Sequence, residues 1–257
     1  GLSLWLDAKN VNGANNSGLS IGSSVSKWLD LSGNQYHPIG PDNNRLPTYN
    51  YGGVDFSGDY LSFTDDLTFL KNNSFTIIVV EQRHISSQAY IFGPRSSWGT
   101  NVGLHFGYRN ETNFTIAFYS NDTNHTVPSL NSSQTNIVSA VYDKGVSDYT
   151  QRRHIYYNGD KILSNTSSSP RSQDLQKTDN IDLGRKYSGQ GYYDGILREI
   201  LIFDRVLSET EIIIIQAYLS KKWGLESTVD SDGDGFTDFR ETSGGSSPTD
   251  SSSLPYY

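Results

Sequence analysis

What most limits the fold of this chain is a succession of short strand-like runs with nothing helical between them. "SFTIIVVEQ" (74–82), "VGLHFGYRN" (102–110), "NFTIAFYS" (113–120), "TNIVSAVYD" (135–143), "RHIYYNGDKIL" (153–163) and "GILREILIFD" (195–204) are β-branched or aromatic stretches fenced by Gly, Asn, Asp or Ser. Several alternate apolar and polar residues, the pattern of a sheet with one buried face. Strands joined without intervening helices cannot build a parallel α/β sheet, so the pattern predicts an all-β protein: a two-sheet antiparallel jelly-roll sandwich. In "YYNGDK", Asn158 and Gly159 are both able to take the positive φ of a type I′ turn and predict a tight hairpin.

One helix interrupts this pattern near the end. Ser208 as N-cap with Glu211 three residues later forms a capping box, Lys221 and Lys222 suit the negative end of the helix dipole, and Gly224 fits a left-handed C-cap. The predicted helix spans 209–223. Its Ile212, Ile215, Ala217, Leu219 and Trp223 cannot all face water, which requires packing on the sandwich. After Leu225 the composition turns to Asp, Ser, Gly and Thr, so the sequence divides into a sandwich over 1–225 and a small calcium-binding segment and tail over 226–257.

That tail contains "DSDGDGFTDFRE". With Asp230 at position 1, Asp232, Asp234, Gly235, Phe236, Asp238 and Glu241 fill positions 3, 5, 6, 7, 9 and 12 of a calcium loop. Hard Ca²⁺ takes six to eight oxygens. The alternating aspartates supply side-chain oxygens, Gly235 permits the sharp turn, Phe236 offers its carbonyl, Asp238 acts directly or through water, and Glu241 closes the cage. A solvated acidic tail would need neither the glycine nor the glutamate at those positions. Residues 227–229 make a poor incoming helix, so the loop departs from a conventional EF-hand. The expected affinity is of extracellular strength, roughly 10⁻⁴ to 10⁻³ M. Metal is expected to order the tail, while the sandwich keeps its own core.

Charge and composition narrow the partners. With 28 acidic and 20 basic residues the formal charge is −8, and no basic stripe exists to hold a nucleic acid. No apolar run approaches the roughly 20 residues of a membrane span. Cysteine is absent, which removes disulfides and thiolate chemistry. Eight N-x-[ST] sequons, at Asn15, Asn72, Asn110, Asn113, Asn121, Asn124, Asn131 and Asn165, are compatible with a surface glycoprotein and equally with polar loops.

The ordered blocks "LSLWLDAKNV", "VSKWLDLSGNQYHP", "LPTYN", "GVDFSGDYLSF", "SFTIIVV", "HIYYNGDKI", "NIDLGRKYSGQGYYDGILREILIFDRVLSETEI" and "YLSKKWGL" resemble those of bacterial laminin-G-like (concanavalin A-like) jelly-roll modules across 1–225. With "TSGGSSPTD" after it, the calcium loop resembles a bacterial thrombospondin type 3 repeat, a semi-rigid spacer of surface proteins; Asp250 could begin a second repeat, which breaks down in "SSSLPYY". The resemblance implies a secreted or cell-surface module that binds glycans or proteins more often than it catalyses. It does not settle the site. No E-x-D-x-x-E carboxylate pattern, H-E-x-x-H or G-x-S-x-G occurs, so the chain is expected to be non-catalytic.

Exposed aromatics able to stack on sugar rings are Trp98, Tyr187, Tyr192 and Tyr193; Trp98 lies outside the recognised blocks and is equally readable as a loop anchor. Asp30 and Asn34 either reach a calcium at the sandwich rim or stabilise an Asx turn. Trp5, Trp28 and Trp223 read as core, and Glu199 as a paired structural carboxylate. Two functions follow: a calcium-stabilised adhesion or glycan-binding module, or a structural subunit of a surface layer, sheath or filament that associates with itself or with neighbouring domains.

Overall fold

The computed structural model describes residues 1–41, 45–96, 99–162, 173–187 and 189–256, with the backbone of 165–166. The alternating runs become strands: β1 (Leu2–Asp7), β2 (Pro38–Ile39), β3 (Thr48–Asn50), β4 (Gly53–Ser57), β5 (Leu61–Phe63), β6 (Phe75–Arg83), β7 (Ala89–Pro94) and β8 (His105–Asn110). They continue as β9 (Asn113–Ala117), β10 (Asp122–Thr126), β11 (Asn136–Tyr142), β12 (Arg153–Tyr157), β13 (Asp160–Ile162), β14 (Asn165–Thr166), β15 (Ile181–Leu183) and β16 (Asp194–Phe203). Two helices follow, α1 (Glu209–Trp223) and α2 (Asp238–Gly244).

The strands pair into two antiparallel sheets of eight. One runs β13-β12-β11-β6-β16-β4-β3, with β1 also on β16; the other runs β14-β10-β9-β8-β7-β15-β5-β2. Period-2 alternation sends Phe56, Ile77, Val79, Ala140 and Ile200 of the first sheet against Phe63, Ile91, Phe106, Phe114 and Ile116 of the second, in one continuous core with Trp28. The hairpin between β12 and β13 turns at Asn158 and Gly159 with φ of 51° and 100°, the positive pair a type I′ turn demands.

The two outer faces differ. Ile78, Val80, Ile137, Val141, Tyr156 and Leu201 make the outside of the first sheet apolar, and α1 covers it with Ile212 and Leu219. Each of those two side chains stabilises the contact by roughly 1.5–3 kcal/mol. The capping box forms as expected: Glu211 N donates to Ser208 Oγ, Ser208 N donates to Glu211 Oε2, and Gly224 sits in the left-handed region. Glu199 pins the far end. Its buried carboxylate accepts from Trp5 Nε1 (2.9 Å), Trp223 Nε1 (2.7 Å) and Lys222 Nζ (2.8 Å), and Lys222 also reaches Asp7. Trp5 and Trp223 are half-buried and hydrogen-bonded there, while Trp28 alone of the three is fully enclosed.

The tail is docked on the sandwich and does not extend from it as a spacer. Leu225 and Val229 complete the apolar cluster under α1. Asp230 N donates to Asn158 O (3.1 Å), and a Cβ at Gly159 would lie 1.4 Å from the Asp230 carbonyl oxygen, so the hairpin tip and the start of the acidic loop touch backbone to backbone. The chain end folds back on α2, where Tyr256 N donates to Gly244 O.

Candidate functional site

The outer face of the second sheet carries neither α1 nor α2; its strands present polar and aromatic side chains outward. The register brings Tyr90 of β7 opposite Gly107, His105 of β8 opposite Ala117, and Asp122 of β10 opposite Ala117. These residues share one face with Arg109, and β7 lies so close to Gly107 that a Cβ there would fall 2.5 Å from Ala89 O. Tyr119 and Ser120, in the turn between β9 and β10, and Lys186 and Tyr187, in the connection from β15 to β16, complete the walls of a cleft of about 200 Å³.

His105 is the centre of this cleft. Its ring meets Tyr90 at 5.6 Å, Tyr187 at 5.5 Å and Tyr119 at 6.2 Å between centroids. Nδ1 faces the Gly103 carbonyl oxygen at 3.1 Å, which can only accept, so Nδ1 carries the proton; Nε2 then accepts from the Tyr187 hydroxyl at 3.1 Å. Burial, reinforced by the Lys186 charge, pushes the imidazole pKa down to about 3, and it is neutral at physiological pH. Arg109 donates from Nη2 to Asp122 Oδ2 at 2.7 Å. The Lys186 ammonium lies 4.7 Å from the Tyr90 ring centre and 5.7 Å from that of Tyr187.

Backbone strain collects at the same place. Tyr119, Ser120 and Tyr187 have φ of 51°, 53° and 47°. The turn at Tyr119 and Ser120 thus has the φ signs of type I′ without the Asn-Gly that makes such turns easy, and non-glycine residues in this region cost about 1–3 kcal/mol each. Buried Asn121 holds it in place. Its Nδ2 donates to Asn101 Oδ1 (2.7 Å) and to Gln173 O (2.8 Å), while Asn101 N donates to Tyr119 O (3.1 Å). That enclosed amide removes Asn121 from the set of usable glycosylation sequons.

The acidic loop is the second candidate. Carboxylate oxygens of Asp230, Asp232 and Asp234 lie within 4.8 Å of one another, a group that can hold a metal ion. Glycines shape the turn: Asp230 accepts from Gly233 N and Gly235 N, both at 2.8 Å, and Gly235 has φ of 97°. Glu241, fully buried on α2, lies outside that group of three but feels the charges of Asp232 and Asp234. Both oxygens of Asp232, Asp234 Oδ2 and Glu241 Oε2 are buried without a hydrogen-bond partner, the arrangement expected of atoms that face a cation. Burial and then the neighbouring aspartates raise the pKa of Asp232 to about 6; burial with Asp232 and Asp234 raises that of Glu241 to about 7. The donor set is all oxygen and fits a hard divalent cation.

One expected ligand is placed differently. Asp238 opens α2 with its carboxylate on Ser231, accepting from N at 2.8 Å and Oγ at 2.9 Å, so it braces the loop and a cation could reach it only through water. Phe236 sits between Gly235 and the α2 N-cap Thr237, its amide donating to Asp234 Oδ1 at 2.8 Å. Asp250, read as the start of a second repeat, makes an Asx turn with Ser252.

Comparison with known proteins settles the family. Residues 55–213 match the profile of the Concanavalin A-like lectin/glucanases superfamily. The chain belongs to that superfamily. No curated protein matches this concanavalin A-like chain. Among solved structures, a Trypanosoma rangeli sialidase in complex with sialic acid is similar at a TM-score of 0.54 and 14% identity, over 86% of this chain and 33% of the sialidase. The same enzyme with 2,3-difluorosialic acid gives 0.55 and 15%. The CBM40 module of a Ruminococcus gnavus IT-sialidase, bound to α2,6-sialyllactose, gives 0.50 and 16%, over 64% of this chain and 96% of that module. The chain spans about a third of the trypanosomal enzyme. These likenesses concern the fold.

The aromatic residues expected to stack on sugars are dispersed in this concanavalin A-like domain. Tyr187 lines the cleft. Tyr193 does not: it is fully buried, its hydroxyl donating to Glu81 Oε2 at 2.5 Å and its ring edge-on to Phe56. Neighbouring residues in extended chain point to opposite faces, so Tyr192 and Tyr193 could not both face solvent. Tyr192 is half-exposed beneath Arg45, 5.3 Å from its ring, and does not line the cleft. Trp98 lies outside the described residues. Asp30 is a turn residue: its carboxylate accepts from Trp5 N, Ser32 N, Ser32 Oγ and Tyr36 N, and Asn34 Nδ2 donates to Ser3 O. Tyr90, His105, Arg109, Tyr119, Asp122 and Lys186 were not singled out by sequence. Outward alternation in β8 and β10 was the available signal, but the partner strands that bring it together are not written in either strand.

Proposed function

We propose that this chain is a non-catalytic glycan-binding module of an extracellular or cell-surface protein, taking sugar in the His105 cleft and Ca²⁺ in the C-terminal loop. The cleft carries the reading. Half-buried Tyr119 offers a ring face, the enclosed Tyr90 and Tyr187 wall the neutral histidine, and Arg109, Asp122 and Lys186 offer charged hydrogen-bond partners, the mixture by which proteins hold sugars. Membership of a superfamily of lectins and glucanases supports it, as does the fold likeness to a module bound to sialyllactose. Glycosidases that use paired carboxylates need two flanking the bond, and among the described residues the cleft lining has one, Asp122, held by Arg109. The calcium assignment is supported by the unpartnered buried oxygens and the twelve-residue spacing.

A glycan array followed by titration tests this reading. Saturable binding that Tyr119→Ala weakens roughly tenfold is expected, from loss of one stacking face. Absence of any saturable sugar binding, or release of reducing ends from the panel by the wild type but not by a carboxylate variant, would overturn it.

Self-association as a surface-layer or filament subunit is the second reading, favoured by one observation. Leu2, Trp5, Leu201, Phe203, Ile214, Ile215 and Tyr218 line an apolar groove of about 400 Å³ beside α1, with Ile214 and Tyr218 more than half exposed. Sizing at rising concentration separates the two: ordered assembly without sugar binding supports the second.

A further inference from the structure

We infer that the His105 cleft takes an anionic sugar residue, carboxylated or sulfated, with the acid group set against Lys186 and the guanidinium of Arg109 behind it. This inference rests on the glycan reading of the same cleft and narrows its ligand class.

Charge bookkeeping within the cleft points there. The chain as a whole carries −8, yet this cleft gathers two cations, one carboxylate and a histidine that is neutral. Asp122 pairs with Arg109 at 2.7 Å and also acts on the Lys186 ammonium through space, so one carboxylate is shared between two cations. Lys186 makes no ion pair among the described residues; its ammonium rests on the faces of Tyr90 and Tyr187. Lys222 is the informative contrast. Equally half-buried, it is matched by both Asp7 and Glu199 within 2.8 Å. A cation drawn partly out of water without a counter-anion loses hydration that ring faces replace only in part, and an incoming anion restores the balance.

The position of Lys186 is enforced by backbone. A Cβ at Gly93 would fall 2.5 Å from Arg185 O and 2.6 Å from Lys186 Cα, and one at Gly191 would fall 2.8 Å from the Tyr90 ring. The segment carrying Lys186 therefore lies directly on β7, with Tyr187 N donating to Pro94 O at 2.7 Å. Left-handed φ at Tyr119 and Ser120 shapes a second wall, and that at Tyr187 shapes the segment of Lys186 itself. A cation held by close packing and an aromatic wall held by strained turns make a preformed site, which spares a ligand the entropy of ordering it. Its volume of about 200 Å³ suits a single ring with its acid group more than an extended chain.

The test uses the full chain and four matched probes: a galactose-terminated oligosaccharide and its sialylated, glucuronic-acid-terminated and sulfated counterparts. Binding of at least one acidic probe roughly tenfold tighter than the neutral parent is expected, weakening as sodium chloride rises. Lys186→Gln should erase that preference, Lys186→Arg should restore it, and Lys221→Gln on the exposed side of α1 should leave it unchanged, each with the wild-type thermal midpoint as a check of folding. Preference for the carboxylated over the sulfated probes, or the reverse, identifies the acid group, and either supports the inference. Equal binding of neutral and acidic probes, or an acidic preference that survives both Lys186→Gln and Lys186→Glu, overturns it while leaving glycan binding intact. Failure of all four probes, in a panel where neutral glycans of other kinds also fail, overturns the glycan reading itself.

Discussion

The acidic loop and the His105 cleft are built on opposite plans. The loop draws its carboxylates from twelve consecutive residues, Asp230 to Glu241, with Asp238 and Glu241 carried on the first turn of α2. The cleft draws its side chains from five segments between Tyr90 and Tyr187. An acidic loop is a local object whose geometry follows from spacing and glycine positions. A cleft on a sheet is a tertiary object, existing only once β7 to β10 are in register and the connection after β15 has folded across them. The loop should therefore fail when its own residues change or when its anchor is cut; the cleft should respond to changes in sheet and turn.

Removing the cage oxygens gives the largest expected effect. Asp232→Ala with Glu241→Ala deletes three of the buried oxygens that lack partners and should abolish calcium binding by calorimetry. Asp238→Asn should weaken it only mildly, because that carboxylate serves Ser231. Equal losses in the two variants would place Asp238 in the cage.

Next is the anchor. Gly159→Ala puts a Cβ into the Asp230 carbonyl at a residue with φ of 100°, and should lower stability by about 1–3 kcal/mol or release the loop from the hairpin. Protease sensitivity between Val229 and α2 reads the release. If calcium affinity and stability are both unmoved, the loop is independent of the sandwich.

Acid sharpens the contrast from the other side. His105 and His125 are buried and neutral, burial pushing their pKa values down to about 3 and about 4. Both values lie below the usual 6.5, so the unfolded chain binds more protons in this window. Their contribution is complete above about pH 6.5 and is lost as pH falls toward 4 and then 3. The thermal midpoint should drop across that window, and His105→Gln should flatten part of the drop. An unchanged profile would mean that His105 is not enclosed.

Ser120→Gly gives the smallest effect. It relieves left-handed strain of about 1–3 kcal/mol, offset in part by the added freedom of glycine in the unfolded chain, and should leave a small net stabilisation with the Tyr119 ring in place. Destabilisation would mean that the Ser120 hydroxyl supports the turn.

These two plans also explain what sequence could show. The strands, the Asn158–Gly159 turn and the capping box at Ser208 are each encoded within a few neighbouring residues and each formed, and the acidic spacing brought Asp230, Asp232 and Asp234 together. Tyr193 was misread because its partner Glu81 lies more than a hundred positions away, and a lone tyrosine beside another looks the same in a core as on a surface. Docking of the tail turned on one residue, Val229, whose apolar side chain was hidden in a polar stretch. The turn at Tyr119 escaped notice because no Asn or Gly marks it. Nothing in the residues next to His105 marks it, because the rings around it come from β7, the turn after β9 and the connection after β15.

Nuclear magnetic resonance titration of the full chain with the strongest glycan from the array locates the site directly. Saturable shifts centred on Tyr90, His105, Arg109, Tyr119 and Lys186 are expected, with the residues around Asp30 and the acidic loop unperturbed. Shifts centred instead on the polar cleft between Asn131, Asn136, Asp160 and Asp230, or on the apolar groove beside α1, would contradict the assignment of sugar binding to the second sheet.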